Sequence, residues 1–220
     1  MSPNSSSTLQ LIEIFASVQG ETSYSGLPTT FIRLAACNLR CSWCDTSYSF
    51  GKGQTWQISQ ILEQVKQKGC PYVCVTGGEP LLQPLVHDLM RKLCDLEYVV
   101  SIETGGSLST FEIDPRVKII LDIKCPGSGM SHKNLWSNLN HLKTNDEVKF
   151  VLVDRQDYDY AKEICQKYQL FSKTSHILFS PVHNVLNSKS LVQWILEDKL
   201  NIRLNLQLHK FIWDPLTQGV

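Results

Sequence analysis

Short apolar runs rich in β-branched residues recur along the chain, and stretches with helical spacing separate most of them. Strands that alternate with helices favour a mainly parallel sheet with right-handed crossovers. About six βα units are too few for the eight of a closed barrel, so we expect an open, truncated α/β barrel. The runs that predict buried strands are Thr30–Ala35, Tyr72–Val75, Tyr98–Ile102, Val117–Ile123, Val148–Val153, His176–Phe179 and Ile202–Leu208, preceded by an extra early strand, Leu9–Phe15.

Helices are predicted where apolar residues recur three and four positions apart. No repeat or linker divides the chain, so we expect one domain over residues 9–220 after a disordered lead of residues 1–8. The four periodic groups are Ile58, Ile61, Leu62 and Val65; Leu85, Leu89 and Leu93; Tyr160, Ile164 and Tyr168; and Leu191, Ile195 and Leu196.

Composition and charge argue against several classes of protein: nucleic-acid binders, membrane proteins and secreted proteins. The chain carries 21 basic and 21 acidic residues, which argues against nucleic acid or an anionic membrane surface as a partner. No apolar run approaches the roughly 18 residues of a membrane helix, and residues 1–7 lack the pattern of a secretory signal. We therefore expect a cytoplasmic protein.

The unusual residues come directly after the predicted strands. In parallel α/β folds the carboxyl edge of the sheet carries the site, so polar and glycine-rich turns on one rim indicate an enzyme. These turns are Cys37–Cys44, Thr76–Pro80, Glu103–Gly106, Asp122–Gly127, Ser180–His183 and His209–Lys210.

Three of the eight cysteines, Cys37, Cys41 and Cys44, have the spacing C-x3-C-x2-C. A structural zinc site would need a fourth, distant ligand. A redox dithiol would leave Cys37 without a role. A [4Fe–4S] cluster on three thiolates leaves one iron open for a ligand and accounts for all three. The scattered cysteines are interpreted as small buried apolar residues: Cys70, Cys74, Cys94, Cys125 and Cys165.

With Trp43 before its last cysteine, this loop resembles that of the radical S-adenosylmethionine enzymes. Thr76-Gly77-Gly78-Glu79-Pro80 is similar to the Gly-Gly-Glu motif of the same superfamily. Two glycines permit a close backbone approach to a ligand, and Glu79 can accept from an ammonium group. A strand-to-helix turn with Pro80 at its start is the alternative interpretation. The resemblance implies a [4Fe–4S] cluster, S-adenosylmethionine and a 5′-deoxyadenosyl radical.

Further motifs resemble one family of that superfamily, the 7-carboxy-7-deazaguanine synthases. The resemblance implies a carbon–nitrogen lyase that converts 6-carboxy-5,6,7,8-tetrahydropterin to 7-carboxy-7-deazaguanine with loss of ammonia, in queuosine precursor biosynthesis. It also implies Mg²⁺, a reducing partner such as flavodoxin and a homodimer. The motifs are Val18–Glu21 with Gly26, Phe31–Leu34, Cys44–Thr46 and Gln207–Lys210.

The same resemblance implies individual roles. Cys37, Cys41 and Cys44 would bind the cluster, and Thr46 would bind Mg²⁺. Substrate contacts would come from Val18, Gln19, Gly20, Glu21, Arg33, Thr76, His209 and Val220. Cofactor contacts would come from Gly78, Glu79, Glu103, Asp122, Ile123, Lys124, Ser180, Pro181, Val182 and His183.

One position departs from the superfamily pattern, because Asp122 stands where many members have serine in Ser-x-Lys. An acid there could bond the ribose hydroxyls of the cofactor or pair with Lys124.

Each role has a structural alternative. Thr46 could cap its loop, Arg33 could form a rim ion pair, Glu21 could be a solvated loop charge, and His209 could be structural. The Val220 carboxylate is expected to accept hydrogen bonds from the pterin, unless Phe211–Trp213 only cover the open end of the barrel. Two other functions remain: an activase that makes a glycyl radical on a partner, and a non-catalytic iron–sulfur or zinc protein.

Overall fold

One sheet of nine strands organises residues 7–215 and 217–220, the part of the chain that this computed structural model describes. Strand order is β3-β1-β2-β4-β5-β6-β7-β8-β9, with β1 antiparallel to β2 and β3 and the remaining pairs parallel. Because β3 and β9 lie at opposite ends of this order, the sheet does not close. The strands are β1 Thr8–Val18, β2 Pro28–Leu34, β3 Gln54–Gln57, β4 Tyr72–Gly77, β5 Val99–Thr104, β6 Lys118–Ile123, β7 Glu147–Leu152, β8 His176–Pro181 and β9 Arg203–Leu204.

The helices occupy only part of the connections. Between β5 and β6 the chain makes turns, and between β6 and β7 it makes 3-10 turns at Pro126–Ser128, Ser131–Lys133 and Trp136–Asn140. Further 3-10 turns lie at Ser47–Phe50 and Pro80–Leu82. The α-helices are α1 Ile58–Lys68, α2 Val86–Asp95, α3 Arg155–Lys167, α4 Leu170–Lys173, α5 Ser188–Glu197 and α6 His209–Ile212. None of them, in the described ranges, has the length and apolar character required to span a bilayer.

Helix α1 shows how local sequence sets an element. Its apolar positions Ile58, Ile61 and Val65 are buried. Gln57 and Gln60 cap its first turn reciprocally, and Gly69 ends it in the left-handed region at φ 71°. The helix therefore begins and ends where the apolar spacing predicts.

Alternation along the strands separates two faces of the sheet. In β4, Val73 and Val75 belong to the main apolar core, whereas Cys74 packs with Phe15 and Phe31 in a second, small cluster. Side chains alternate along a strand, so Thr76 shares the face of Cys74. This inner face becomes polar towards the carboxyl ends of the strands, where the candidate site lies.

The open α/β fold is confirmed, including the early strand, which extends to Val18. Four details differ from prediction. Strand β3 was missed, and the predicted strand Ile202–Leu208 is reduced to Arg203–Leu204. Leu196 and Leu85 are 69% and 39% exposed instead of facing the core, and Leu85 precedes α2. Of the predicted disordered lead, residues 1–6 lie outside the described residues, and β1 begins at Thr8.

Candidate active site

A cavity of about 620 Å³ opens at the carboxyl ends of the parallel strands. Its wall includes residues from the loop after β2, from the ends of β4 to β7, from the turn after β8 and from the segment that follows β9. The rim predicted from the turn residues is therefore one continuous site.

Cys37, Cys41 and Cys44 all line this cavity, and all three are half-buried free thiols. Their loop is anchored through Ser42, whose N–H donates to Ser128 O at 3.2 Å and whose Oγ donates to Gly127 O at 2.9 Å. Within the loop, Arg40 Nη1 donates to Cys37 O at 2.8 Å. Across the described ranges, no three His, Cys, Asp or Glu side chains converge as a single-ion site. Three thiols from one short loop at a cavity mouth fit a three-cysteine [4Fe–4S] cluster, which has several irons to share among them.

Gly77 and Gly78 bring the end of β4 against the cysteine loop. A Cβ on Gly78 would lie 2.2 Å from Ala36 O and 2.7 Å from Cys37 Cβ. Gly77 has φ 148°, and a Cβ there would lie 2.3 Å from Leu34 O. The two glycines therefore permit a close approach to the protein's own backbone, which holds the cysteine loop in place.

Glu79 lies behind the cavity wall instead of in it. Its side chain is 0% exposed and accepts hydrogen bonds from Thr104 Oγ1 at 2.9 Å, Gly105 N at 2.8 Å and Leu81 N at 3.1 Å. Burial raises the pKa of Glu79, while these hydrogen bonds oppose the rise. The carboxylate braces two turns of the rim, and its direct contact with a cofactor ammonium stays a prediction.

Glu21 enters the cavity and forms an ion pair with Lys149. The side chains are only 12% and 11% exposed, which excludes a solvated loop charge. Gln207 Nε2 also donates to Glu21 Oε1 at 2.9 Å. Burial tends to raise the pKa of Glu21, but the charge and hydrogen bond of Lys149 and the bond from Gln207 hold that pKa below its usual range.

Gln207 connects Glu21 to the loop that carries the cysteines. The same Nε2 group lies 3.2 Å from Asp45 Oδ2, and Lys210 Nζ lies 3.0 Å from that oxygen. Asp45 and Thr46 directly follow Cys44, and both line the cavity. The Thr46 side chain is not a cap of the following 3-10 turn, and its hydroxyl lies 3.7 Å from Cys44 Sγ.

Glu103 lies at the base of the cavity, between two predicted substrate residues. Gln19 Nε2 donates to one of its oxygens at 3.4 Å and Thr76 Oγ1 to the other at 3.3 Å. Burial raises the pKa of Glu103 and Glu21 adds to that, whereas Lys149 and Arg33 lower it. These contacts place Glu103 beside Gln19 and Thr76, although we predicted it as a cofactor contact.

Arg33 forms the ion pair that was its structural alternative, and it also reaches the cavity. Its Nε donates to Glu13 Oε1 at 2.7 Å, and the guanidinium carbon lies 5.7 Å from the ring of Tyr48. The side chain also lines the cavity. The ion pair therefore orients the fork, whose two terminal nitrogens are its remaining donors.

Asp122 pairs through Oδ2 with Lys124 Nζ at 3.0 Å, as the sequence allowed. Its other oxygen, Oδ1, is buried and has no hydrogen-bond partner within the described residues. A buried acceptor without a partner is unfavourable, so this atom fits a hydroxyl or amine donor of a bound molecule.

His209 closes the cavity over the loop after β1. It begins α6, and a Cβ on Gly20 would lie 2.1 Å from His209 Nδ1, so only glycine fits beneath the ring. Burial lowers the pKa of His209, which favours the neutral imidazole.

Most of the predicted site residues line the cavity, including Val18, Val182, His183 and Val220. Four do not, namely Glu79, Ile123, Ser180 and Pro181. Ile123 belongs to the apolar core, and Ser180 accepts a hydrogen bond from Asn205 at 2.7 Å behind the wall. Sequence reasoning assigned no role to Lys149, although a lysine at an alternating position of an otherwise apolar run was a readable signal.

Comparison with known proteins shows the family to which this site belongs. Residues 31–169 match the Radical SAM superfamily. A 7-carboxy-7-deazaguanine synthase of Koribacter versatilis is 42% identical, covering 96% of this chain and 100% of its own. One of Chlorobaculum tepidum is 43% identical, covering 96% and 97%. In structure, QueE from Escherichia coli aligns with a TM-score of 0.75 at 21% identity, over 91% of this chain and 94% of its own, which shows the shared fold.

The open α/β fold, the three-cysteine loop and the family match define a radical SAM enzyme, a class that uses a [4Fe–4S] cluster and S-adenosylmethionine. Identity above 40% over almost the whole length of two relatives narrows this further. Within the superfamily, the chain belongs to the 7-carboxy-7-deazaguanine synthases.

Proposed function

We propose that the enzyme converts 6-carboxy-5,6,7,8-tetrahydropterin to 7-carboxy-7-deazaguanine with release of ammonia. The observation that carries the proposal is that the three cysteines share one cavity with Gln19, Glu21 and Arg33. When bound, the cluster and S-adenosylmethionine supply a 5′-deoxyadenosyl radical that removes hydrogen from C6 of the pterin. Substrate and product differ by one ammonia, so the cofactor can be regenerated.

The chain's own residues bind and orient the pterin. Lys149 keeps Glu21 ionised, so Glu21 can accept two hydrogen bonds from the N–C(NH2)–N edge of the ring. Gln19 offers its amide beside it, and Arg33 provides a planar fork for the carboxylate. Glu103 accepts hydrogen bonds from Gln19 and Thr76 and therefore lies on the proposed substrate side of the cavity. Val220 lines the cavity, and its carboxylate is proposed as a further acceptor for the pterin.

The part of the cavity that carries Asp122 and Lys124, next to Lys149, suits the cofactor. Asp122 Oδ1 is proposed to accept from the ribose hydroxyls, with Lys124 holding the other oxygen. Gly78 lies against Cys37, and Val182 and His183 provide further surface of the cavity. A homodimer in the cytoplasm, reduced by a flavodoxin-like donor, completes the proposal.

Anaerobic turnover tests the proposal directly. Reconstituted enzyme with reductant, S-adenosylmethionine and the pterin should give 7-carboxy-7-deazaguanine and ammonia in equal amounts, measured by mass spectrometry and an ammonia assay. Cleavage of S-adenosylmethionine without conversion of the pterin would contradict it and favour an activase. No cleavage at all would favour a non-catalytic iron–sulfur protein.

We expect Arg33→Lys to weaken pterin binding roughly tenfold to a hundredfold, the equivalent of about 1.5–3 kcal/mol for a lost charge-assisted hydrogen bond. A lysine can keep the ion pair with Glu13 or meet the substrate carboxylate, but its single ammonium cannot replace a fork that does both. Titration calorimetry measures this, with S-adenosylmethionine affinity unchanged. Arg155→Lys, which alters a surface pair with Asp159, is the matched control. Unaltered pterin affinity would limit Arg33 to a structural role.

Thr46 is proposed to hold a magnesium ion beside the substrate, since hard cations prefer oxygen ligands. We expect Mg²⁺ to raise turnover of the parent enzyme and Thr46→Ala to lose most of that response while the iron content stays the same. Rates at several Mg²⁺ concentrations, with iron analysis, check this. A parental response in Thr46→Ala would show that the hydroxyl does not bind the ion.

A further inference from the structure

The loop between β1 and β2 folds inward across the open barrel, which is unusual for a connection between antiparallel neighbours. Its base is closed by the Gln19 N–H to Leu27 O and the Gly26 N–H to Gln19 O, both at 2.8 Å. Glu21 pairs with Lys149 in the cavity. Ser23 contacts Lys118 and Glu147, the first residues of β6 and β7, at the amino ends of these strands. Residues 19–27, hereafter the inner loop, thus run from the cavity wall to the amino ends of the strands, where Ser25 and Gly26 are exposed.

Strand β7 holds the inner loop at two levels. Glu147 and Lys149 are two positions apart, so their side chains point to the same face of the sheet, roughly 6–7 Å apart along the strand. Glu147 binds Ser23 and Lys149 binds Glu21, which are also two positions apart. A shift of the inner loop by one residue would break both contacts. The Ser23–Glu147 contact, which lies farther from the cavity, therefore fixes the register of the Glu21–Lys149 contact.

The deeper contact is a three-residue cluster of Ser23, Lys118 and Glu147. Lys118 Nζ lies 2.6 Å from both Glu147 Oε1 and Ser23 Oγ, and Ser23 Oγ donates to Glu147 Oε1 at 2.6 Å. The Lys118 and Glu147 side chains are 5% and 0% exposed. None of the three lines the cavity. The desolvation of a buried ion pair offsets the attraction between its charges, so this pair is weak evidence for a stabilising role.

Backbone strain shows that the inner loop is held firmly. Thr22, between the two contacts, is buried and has φ 68°, a conformation that β-branched residues rarely adopt. Such a conformation is strained and persists only where its surroundings over-determine it. Its N–H donates to Asn205 Oδ1 at 2.8 Å. Contacts on both sides of Thr22 therefore keep the chain in this shape.

We propose that Ser23, Lys118 and Glu147 are positioning residues, which set the depth at which Gln19 and Glu21 stand in the cavity for the pterin. This inference rests on the proposed function of the same cavity. These three residues would affect the affinity for the substrate indirectly, by holding the inner loop in position.

The test uses Ser23→Ala, with Ser172→Ala on α4 as the matched control. Ser23→Ala removes one hydroxyl and leaves the ion pair and the Ser23 N–H, which donates to the Glu147 oxygens at 3.1 and 3.2 Å, so it isolates the contribution of the hydroxyl. In the reconstituted holoenzyme, Ser23→Ala should weaken binding of 6-carboxy-5,6,7,8-tetrahydropterin about tenfold. The dissociation constant of S-adenosylmethionine and the iron content should stay at parental values. Hydrogen exchange should accelerate in a peptide covering the inner loop and not in one covering residues 37–46. Ser23→Thr, which keeps the hydroxyl, should restore both properties.

Unchanged exchange in the inner loop, or faster exchange with unchanged pterin affinity, would overturn the proposal. Equal weakening of pterin and S-adenosylmethionine binding would also overturn it, since that would indicate general loosening. If the parent enzyme does not bind the pterin at all, the proposed function fails, and hydrogen exchange still decides whether Ser23 fixes the inner loop.

Discussion

Replacing Cys37, Cys41 or Cys44 with alanine is expected to abolish the iron–sulfur cluster and, with it, all turnover. The three thiols belong to one loop that lines the cavity, and a cluster already one protein ligand short cannot lose another and remain bound. Iron analysis and the visible charge-transfer absorption of the anaerobically reconstituted protein measure the loss.

The remaining cysteines provide the matched controls. Cys94→Ala alters a half-buried thiol on α2 that does not line the cavity, so we expect about four irons per chain and parental turnover. The same holds for Cys70, Cys74, Cys125 and Cys165, which are buried. Retention of the cluster after loss of Cys37, Cys41 or Cys44 would contradict the ligand assignment.

Lys149→Met is expected to destabilise the apoprotein by about 3–5 kcal/mol and to prevent pterin binding, because it leaves a buried carboxylate without its cation. Glu21 would lose its ion pair, while Asp122 Oδ2, 4.0 Å from Lys149 Nζ, would lose a neighbouring positive charge. Urea unfolding measures the free energy. Lys162→Met, which breaks a more exposed pair with Asp198, should cost less than about 1 kcal/mol.

The effect should depend on pH in a defined direction. In the parent, the pKa of Glu21 is depressed, so its contribution to stability is present above the ordinary value of 4.5 and lost as pH falls through the depressed value. Without Lys149, burial would raise the pKa of Glu21 instead, and the protonated form would be favoured in the folded state. The destabilisation by Lys149→Met should therefore shrink as pH falls from 7 towards 4.5.

A double variant checks the cause of this effect. Lys149→Met combined with Glu21→Gln should recover part of the lost stability, since no unpaired charge remains at Glu21, yet it should still bind the pterin poorly. Equal stability of Lys149→Met and the parent at pH 7 would show that the ion pair contributes nothing.

Several features of the site were readable from the sequence because they are encoded locally. The strand after Pro71 has apolar and β-branched residues that predict β4. Its two final glycines predicted a close backbone approach to a ligand, and the structure shows them packed against the backbone of Leu34 and Ala36. The cysteine spacing predicts the cluster loop without any knowledge of its neighbours. The position of the site at one edge of the sheet was also predictable from the sequence, because parallel strands place all their carboxyl ends together.

Other features depend on which elements become neighbours. Glu79 belongs to a recognisable motif, but its burial against Thr104 and Gly105 is decided by the packing of β4 beside β5. The last strand was overestimated because the apolar pattern of Ile202–Leu208 continues, whereas the chain leaves the sheet after Leu204 to contact the inner loop.

The sequence by itself determined the strands and helices of an open α/β barrel, the rim that carries the site and the three cysteines, since periodicity and spacing are properties of neighbouring residues. Only the tertiary structure decided that Lys149 pairs with Glu21, 128 positions away, and that Gln207, 186 positions from Glu21, joins it to the cysteine loop. It also decided that the inner loop contacts β6 and β7 through Ser23. Such contacts depend on strand order, register and the path of each loop, and a one-residue change in register would separate them while leaving the local sequence pattern unaltered.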